Sequence, residues 1–307
     1  MIALARSPRV TRLMHGNAAA SRLARQFVGG LTVEDALAVA RRLRRDGFRA
    51  SLFYLGEYVD DAALVARTVE QKIAAAAALG EAGLDVHVSA DPTQVGYMID
   101  DATGRANMLR IGSAIAAQPR QGWGCLMLDM EDVDLVDRTL ALGDELRRAG
   151  IPVAQTLQAY LRRTEADLPR LIAPAMAVRL VKGAFAEGHG RAWQTRAEID
   201  RAYLRLADRM LAPEARSLGF RPVFGTHDER MIRPILALAQ ERGWPAGAFE
   251  IEMLYGVRTA LQQRLRDEGW TVRLYLPFGE SWWPYAVRRV GESPRNARLL
   301  LRAAVGR

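Results

Sequence analysis

Side chains able to hold charge or move protons stand at or near the ends of apolar runs in this chain: Asp91, Asp129, Gln158, Arg179 with Lys182, Thr226 with His227, and Tyr275, accompanied by Leu254 and Tyr255. Burying such polar groups unpaired is costly, so they must meet one another or a ligand. Cations, an amide (Gln158) and flat apolar side chains together suit a planar, phosphate-bearing ligand better than a bare metabolite. Lys182 reads two ways, as a Schiff-base nucleophile or as a cation that holds an anion or tunes a cofactor. A third reading makes Arg179, Lys182 and Asp129 an ion network that only stabilises the interior. Near the C-terminus, residues 272–296 read as a strand ended by Pro277 and Gly279, then a helix with Pro284 in its first turn. On that helix Tyr285, Arg288, Arg289 and Glu292 fall three, four and seven apart, on one face. Two adjacent arginines there can fork around a carboxylate or phosphate. The alternative is a solvated basic helix end. His227-Asp228 is a pair, but His15, His87 and His189 show no metal spacing and no G-x-S-x-G occurs, so neither a metal nor a serine hydrolase is expected.

The strand-like runs are 50–55, 84–90, 123–130, 151–159, 176–182, 221–226, 249–255 and 272–277. Between them lie periodic helical stretches, for example 61–82, 131–149, 193–211, 228–242 and 257–268, several closed by Gly83, Gly150, Gly243 or Gly269. Eight strands alternating with helices predict an α/β fold, a (β/α)8 barrel with its chemistry at the C-terminal strand ends. A doubly wound sheet is the alternative, without the G-x-G-x-x-G expected after its first strand. A helix is expected from Thr32 to about Arg45, closed by Gly47, and one or two short helices ending at Gly29-Gly30 before it. The domain reading is N-terminal helices over 1–48 and the barrel over 49–307.

The 307 residues are half hydrophobic, carry a net charge of +8 and include one cysteine, Cys125. A disulfide framework is thereby excluded and a reducing, cytoplasmic setting expected, with Cys125 a buried structural thiol. No run is long enough to span a membrane, and Arg6, Arg9 and Arg12 interrupt any signal-peptide pattern. The basic residues are nearly all arginine, spread over every expected helix, with Lys72 and Lys182 the only lysines. That spread argues against nucleic acid and leaves open a loose attraction to an anionic membrane.

From about residue 27 to 303 the chain resembles the proline dehydrogenase family, flavin enzymes that oxidise proline. The likeness is carried by F-V-G-G-L-T-V-E-D-A-L, L-F-Y-L-G-E, D-P-T-Q-V-G, L-D-M-E-D, Q-A-Y-L-R-R-T, R-L-V-K-G-A-F, G-T-H-D, E-M-L-Y-G-V-R and Y-A-V-R-R-V-G-E, in the family's order. The resemblance implies a distorted barrel, FAD bound non-covalently, and proline against the isoalloxazine face. It assigns Gln158, Arg179, Val181, Lys182, Gly183, Ala184, Thr226 and His227 to the flavin, with Arg179 near N5. It makes Asp129 an aspartate beneath the site, and Arg288 and Arg289 the grip on the substrate carboxylate. Leu254, Tyr275 and Tyr285 would pack on the substrate ring, with Glu292 one turn past the arginines. A quinone-type acceptor would take the electrons, consistent with a cytoplasmic protein or one peripheral to the inner membrane face. Four positions depart from the family's usual pattern. Asp91 stands where a lysine is usual, Phe53 for an aspartate, Phe185 for a tyrosine and Glu252 for a glutamine. Asp91 would then weaken the grip on a free carboxylate or favour a related cyclic amine such as hydroxyproline or an N-alkylproline; if it points outward, the substrate is plain proline.

Overall fold

The computed structural model describes residues 26–119 and 121–291, the side chains at 287, 288, 290 and 291 excepted. Eight strands run parallel: β1 (Arg49–Tyr54), β2 (His87–Ala90), β3 (Cys125–Leu128), β4 (Val153–Gln158), β5 (Ala177–Val181), β6 (Pro222–Gly225), β7 (Glu250–Leu254) and β8 (Val272–Phe278). They pair in chain order, and β8 closes on β1 from Arg49 opposite Arg273 to Tyr54 opposite Phe278. Outside them run α1 (Val33–Arg45), α2 (Ala62–Glu81), α3 (Asp101–Ala116), α4 (Val136–Arg148), α5 (Thr164–Ile172), α6 (Arg196–Met210), α7 (Pro213–Ser217), α8 (Glu229–Glu241), α9 (Thr259–Asp267) and α10 (Trp282–Gly291). This is the expected (β/α)8 barrel, and each expected strand is present within a few residues of its anticipated ends.

Local chemistry explains the helix starts. Thr32 and Asp35 form a reciprocal capping box on α1, and Asp61, Asp100 and Asp228 accept first-turn amides of α2, α3 and α8. The stretch expected as a helix over 131–149 begins instead with a 3-10 turn, Val133–Leu135, because Asp132 caps Asp134 and Glu187 accepts the Val133 amide. The chain before Gly29-Gly30 is not helical where it is described, from residue 26. The Gly29 amide donates to the Pro277 carbonyl at 2.7 Å, and Phe27 and Val28 are drawn into a cluster with Phe53, Leu55, Trp282, Trp283, Tyr285 and Ala286. Residues 1–25 and Glu292 lie outside the described residues.

That cluster is separate from the main core between strands and helices. It includes Phe53 of β1 with Tyr285 and Ala286 of α10, and Tyr275 packs against it, so α10 is seated beside the strand-end residues by aromatic burial worth about 1.5–3 kcal/mol per large side chain. The barrel interior carries two charged layers. The lower one is built on Arg273, fully buried, which donates to Glu250 at 2.6 Å and to Asp85 at 2.9 Å. The upper one is the candidate site.

Candidate active site

Alternation along a strand places residues two apart on the same side, so Glu252 and Tyr275 stand one layer above Glu250 and Arg273. Arg179 of β5 reaches into this upper layer. Its guanidinium donates to Thr156 Oγ1 at 2.8 Å from Nη2 and 3.2 Å from Nε, pairs with Glu252 Oε2 at 3.1 Å, and forms an ion pair with Asp129. Glu252 is fixed in turn by the Ser51 hydroxyl at 2.6 Å. The Tyr275 hydroxyl donates to Asp129 Oδ2 at 2.8 Å, and the Arg179 guanidinium lies 5.5 Å from the Tyr275 ring centre. Burial, first, and then the Asp91 carboxylate hold the Tyr275 phenol well above its ordinary value, so it remains a donor. Arg179, Asp129 and Tyr275 thus meet in one group. Glu252 and Thr156 complete the group, and only Glu252 had been noticed, as a departure from a pattern.

Around this centre the other expected residues divide. Gln158 is buried and donates its amide to the carbonyls of Met130 and Glu131 at 3.2 and 3.0 Å, while its Oε1 has no partner among the described residues. Val181, Lys182 and Gly183 are half-buried beside it, Ala184 is exposed and Thr226 is buried. Tyr160 and Trp193 carry a buried hydroxyl and a buried indole N–H that likewise find no partner among the described residues. Gly183 adopts a left-handed φ of 107° directly against the Tyr160 ring. Lys182 does not join the Arg179 network. It is clamped by Asp200 and by Asp228 at 3.0 Å, and an ammonium held by two carboxylates is a poor Schiff-base nucleophile.

His227 and Asp228 form no catalytic dyad. The Leu254 amide donates to His227 Nε2 at 2.7 Å, while Asp228 caps α8 and accepts Arg230 and Lys182. Burial, with Arg289 and Arg258 nearby, pushes the His227 imidazole from 6.5 down to about 4. The unfolded chain therefore binds a proton that the folded chain refuses. Stability is expected to fall by about 2–3 kcal/mol as pH drops from 6.5 towards 4, after allowance for partial exposure. Thermal unfolding of His227→Asn, which keeps an acceptor for the Leu254 amide, should show a flatter slope over that window than the natural chain.

Leu254 is half-buried, Asp91 is buried at the end of β2, and Tyr285 is buried in the aromatic cluster. Arg289 lies with its guanidinium 5.4 Å from the Tyr285 ring centre. The backbone carries Arg288 on the same helix; its side chain is outside the described set. From the sequence alone Lys72 stands out only as one of two lysines. Lys72, on the inner face of α2, is fully buried and donates to the Ser89 carbonyl at 2.8 Å. Its signal was present: a lysine in register with Val65, Val69, Ala76 and Leu79 on an apolar helical stripe.

A parallel eight-stranded barrel whose polar side chains converge at the C-terminal strand ends is the form of a (β/α)8-barrel enzyme. The family model described as "Proline dehydrogenase" matches residues 36–300. The chain is 35% identical over 281 residues to the proline dehydrogenase of Deinococcus radiodurans, covering 91% of this chain and 89% of that one. It is 32% identical to proline dehydrogenase 2 of Bacillus subtilis, covering 88% and 86%. The chain belongs to the proline dehydrogenase family. Among solved structures it is similar to proline utilization A (PutA) from Bdellovibrio bacteriovorus, with a TM-score of 0.79 and 22% identity, over 90% of this chain and 33% of that one. The corresponding protein from Corynebacterium freiburgense gives 0.75 and 23%, over 96% and 33%. The chain thus spans a third of each of those longer proteins.

Proposed function

We propose that this chain oxidises L-proline to the cyclic imine 1-pyrroline-5-carboxylate, the first step of proline catabolism, with FAD held non-covalently at the strand ends of β4 to β6. The observation that carries the reading is the anchored Arg179 at the centre of the mouth, flanked by buried polar atoms that lack partners among the described residues. Gln158 Oε1 is an acceptor suited to an imide N–H, and the Tyr160 hydroxyl and Trp193 indole N–H can serve a ribityl chain or phosphates. The residues present therefore fit a flavin. When bound, a flavin supplies a two-electron acceptor for the hydride leaving the ring carbon next to nitrogen.

The chain's own residues then have defined tasks. Arg289, with Arg288, holds the substrate carboxylate. Leu254, Tyr275 and Tyr285 form apolar walls for the ring. Arg179, locked by Asp129, Glu252 and Thr156, presents a fixed positive charge where electron density accumulates, at no reorganisation cost during the reaction. The amine must enter its neutral form. His227 is a weak base here and its Nε2 is already engaged, so deprotonation is assigned to exclusion of water rather than to a side-chain base. Loss of hydride from the neutral amine leaves a protonated imine, which releases its N–H proton to give the product. Electrons pass onward to a quinone-type acceptor. Among the described residues no helix is long and apolar enough to cross a membrane, and a peripheral contact with the inner membrane face, from a cytoplasmic position, is the arrangement proposed.

The test is anaerobic addition of L-proline to the purified, FAD-loaded protein. The expected result is bleaching of the flavin absorbance. Bleaching by hydroxyproline or N-methylproline but not by proline would transfer the reading to a related cyclic amine, and a protein that FAD cannot reconstitute would overturn it.

A further inference from the structure

The lower charged layer has no task in the reaction, and its charges do not balance. Arg49, Arg221 and Arg273 share Asp85 and Glu250 there, three cations against two carboxylates. Glu250 is divided among all three guanidiniums, at 2.6 Å from Arg273, 3.1 Å from Arg221 and 3.9 Å from Arg49. The Arg221 and Arg273 guanidiniums also lie 4.4 and 5.4 Å from the Trp123 ring centre. A cation in surplus beside a protein interior is costly unless water or an anion reaches it.

Trp123 and Arg221 also line a cavity of about 570 Å³. It lies at the N-terminal strand ends, where Cys125, Val153 and Ala177 begin β3, β4 and β5, on the far side of the barrel from the candidate active site. Phe220 and Trp244, both buried, give it apolar walls. Three arginines line it, and among the described residues no carboxylate does. Arg147, at the end of α4, has Asp144 at 2.9 Å, but that carboxylate is shared with Arg148. Arg216, on α7, donates to the carbonyls of Arg242 and Gly243 at 2.9 and 2.6 Å and pairs with no carboxylate among the described residues. Arg221, just before β6, has a share of Glu250. The Nε–H groups of Arg147 and Arg221 are buried and lack a partner among the described residues, and buried donors of this kind ordinarily have one. A cation in the last turn of a helix is favoured by the helix dipole, which accounts for Arg147 and Arg216 one at a time. It does not account for Arg221, which is on no helix, or for the meeting of all three at one cavity.

We propose that this cavity binds a small organic anion carrying two or more carboxylates. An arginine fork matches a carboxylate two bonds at a time. Three forks from three separate elements suit separated charges better than a single one, and Trp123, Phe220 and Trp244 suit a carbon frame between them. The volume is that of an ordinary small-molecule site. The site stands at the other end of the barrel from the flavin reading and does not depend on it.

The experiment is calorimetric titration of the full chain, kept in excess FAD, with tricarballylate, a short carbon chain bearing three carboxylates. Sodium chloride at about 0.15 M screens loose surface attraction. A dissociation constant below about 1 mM is expected, with the neutral triamide binding about a hundredfold more weakly. Arg147→Gln and Arg216→Gln, on different elements, are each expected to weaken binding about tenfold or more. Arg205→Gln removes the same charge from an exposed ion pair with Glu165 outside the cavity, and binding is expected to stay within about twofold of the natural chain. Neither heat nor a rise in Tm at about 10 mM tricarballylate overturns the proposal. So does equal binding of the triamide, natural affinity in the cavity variants, or a loss in Arg205→Gln as large as theirs. A flavin spectrum that shifts with the same dissociation constant overturns it too, because the anion would then sit at the opposite mouth. Should one cavity variant fail to fold, the other carries the comparison.

Discussion

Arg179→Met is expected to destabilise the protein by roughly 3–5 kcal/mol and to slow flavin reduction by proline about a hundredfold or more. The first effect follows from what the substitution strands. Asp129 and Glu252 are both buried, and both are ion-paired to the same guanidinium. Remove it and both carboxylates lose the cation they share, with Ser51 and Tyr275 the donors left to them among the described residues. The second effect follows because a fixed cation at the site of developing negative charge cannot be replaced by water in a filled interior. Urea unfolding and single-turnover reduction measure the two separately. Arg179→Met combined with Glu252→Gln should recover part of the stability, since one stranded charge is removed, but little of the rate. Arg179→Lys should keep charge and lose the fork: an ammonium cannot reproduce a planar group donating to Thr156 while pairing with two carboxylates. Stability equal to the natural chain in Arg179→Met would show that the upper charged layer is not held together by this residue.

How much of this was legible beforehand depends on the distance over which each feature is determined. The strands were legible because buried parallel strands read as continuous apolar runs, and their ends were marked by helix caps such as Asp61 and Asp228. Helix α3 was not singled out. Gly104 and Gly112 weaken its pattern, and the reason lies elsewhere in the chain. A Cβ at Gly104 would stand 2.2 Å from the Tyr97 ring, and one at Gly112 would stand 2.8 Å from Ile151. Arg179, Asp129 and Tyr275 could be picked out one strand at a time, as polar residues in apolar runs. That Glu252 binds Arg179 depends on the inward register of β7 relative to β5, and that Ser51 fixes Glu252 depends on barrel closure between β1 and β8. Lys72 enters from a helix, so the polar residues at strand ends do not reveal it. For Lys182 the strand-end position leaves open a reactive amine or a cation that holds an anion, and only the fold shows that Asp200 and Asp228, from a helix and a helix cap, pair with it.

Gly183→Ala should produce the largest loss of cofactor for the smallest chemical change. The position requires φ of 107°, where an L side chain is strained by about 1–2 kcal/mol. A Cβ built there would also stand 2.1 Å from Cδ1 and 2.5 Å from Cε1 of Tyr160. That neighbour cannot simply swing aside, because the Tyr160 ring is buried and its backbone amide donates to the Lys182 carbonyl at 2.9 Å. Either the ring moves, taking with it the hydroxyl that lacks a partner among the described residues, or the loop after β5 lifts, carrying Val181 and Lys182 with it. Both outcomes spoil the surface assigned to the flavin. FAD affinity, measured by fluorescence titration of the stripped protein, is expected to fall tenfold or more, and unfolding free energy by about 2–4 kcal/mol. Gly188→Ala is the matched control: it lies in the same loop, no atom stands within 4 Å of a Cβ there, and neither FAD affinity nor stability should change. Equal FAD affinity in Gly183→Ala and the natural chain would move the flavin away from the β5 loop, since no planar ligand seated there could ignore the displacement of Tyr160.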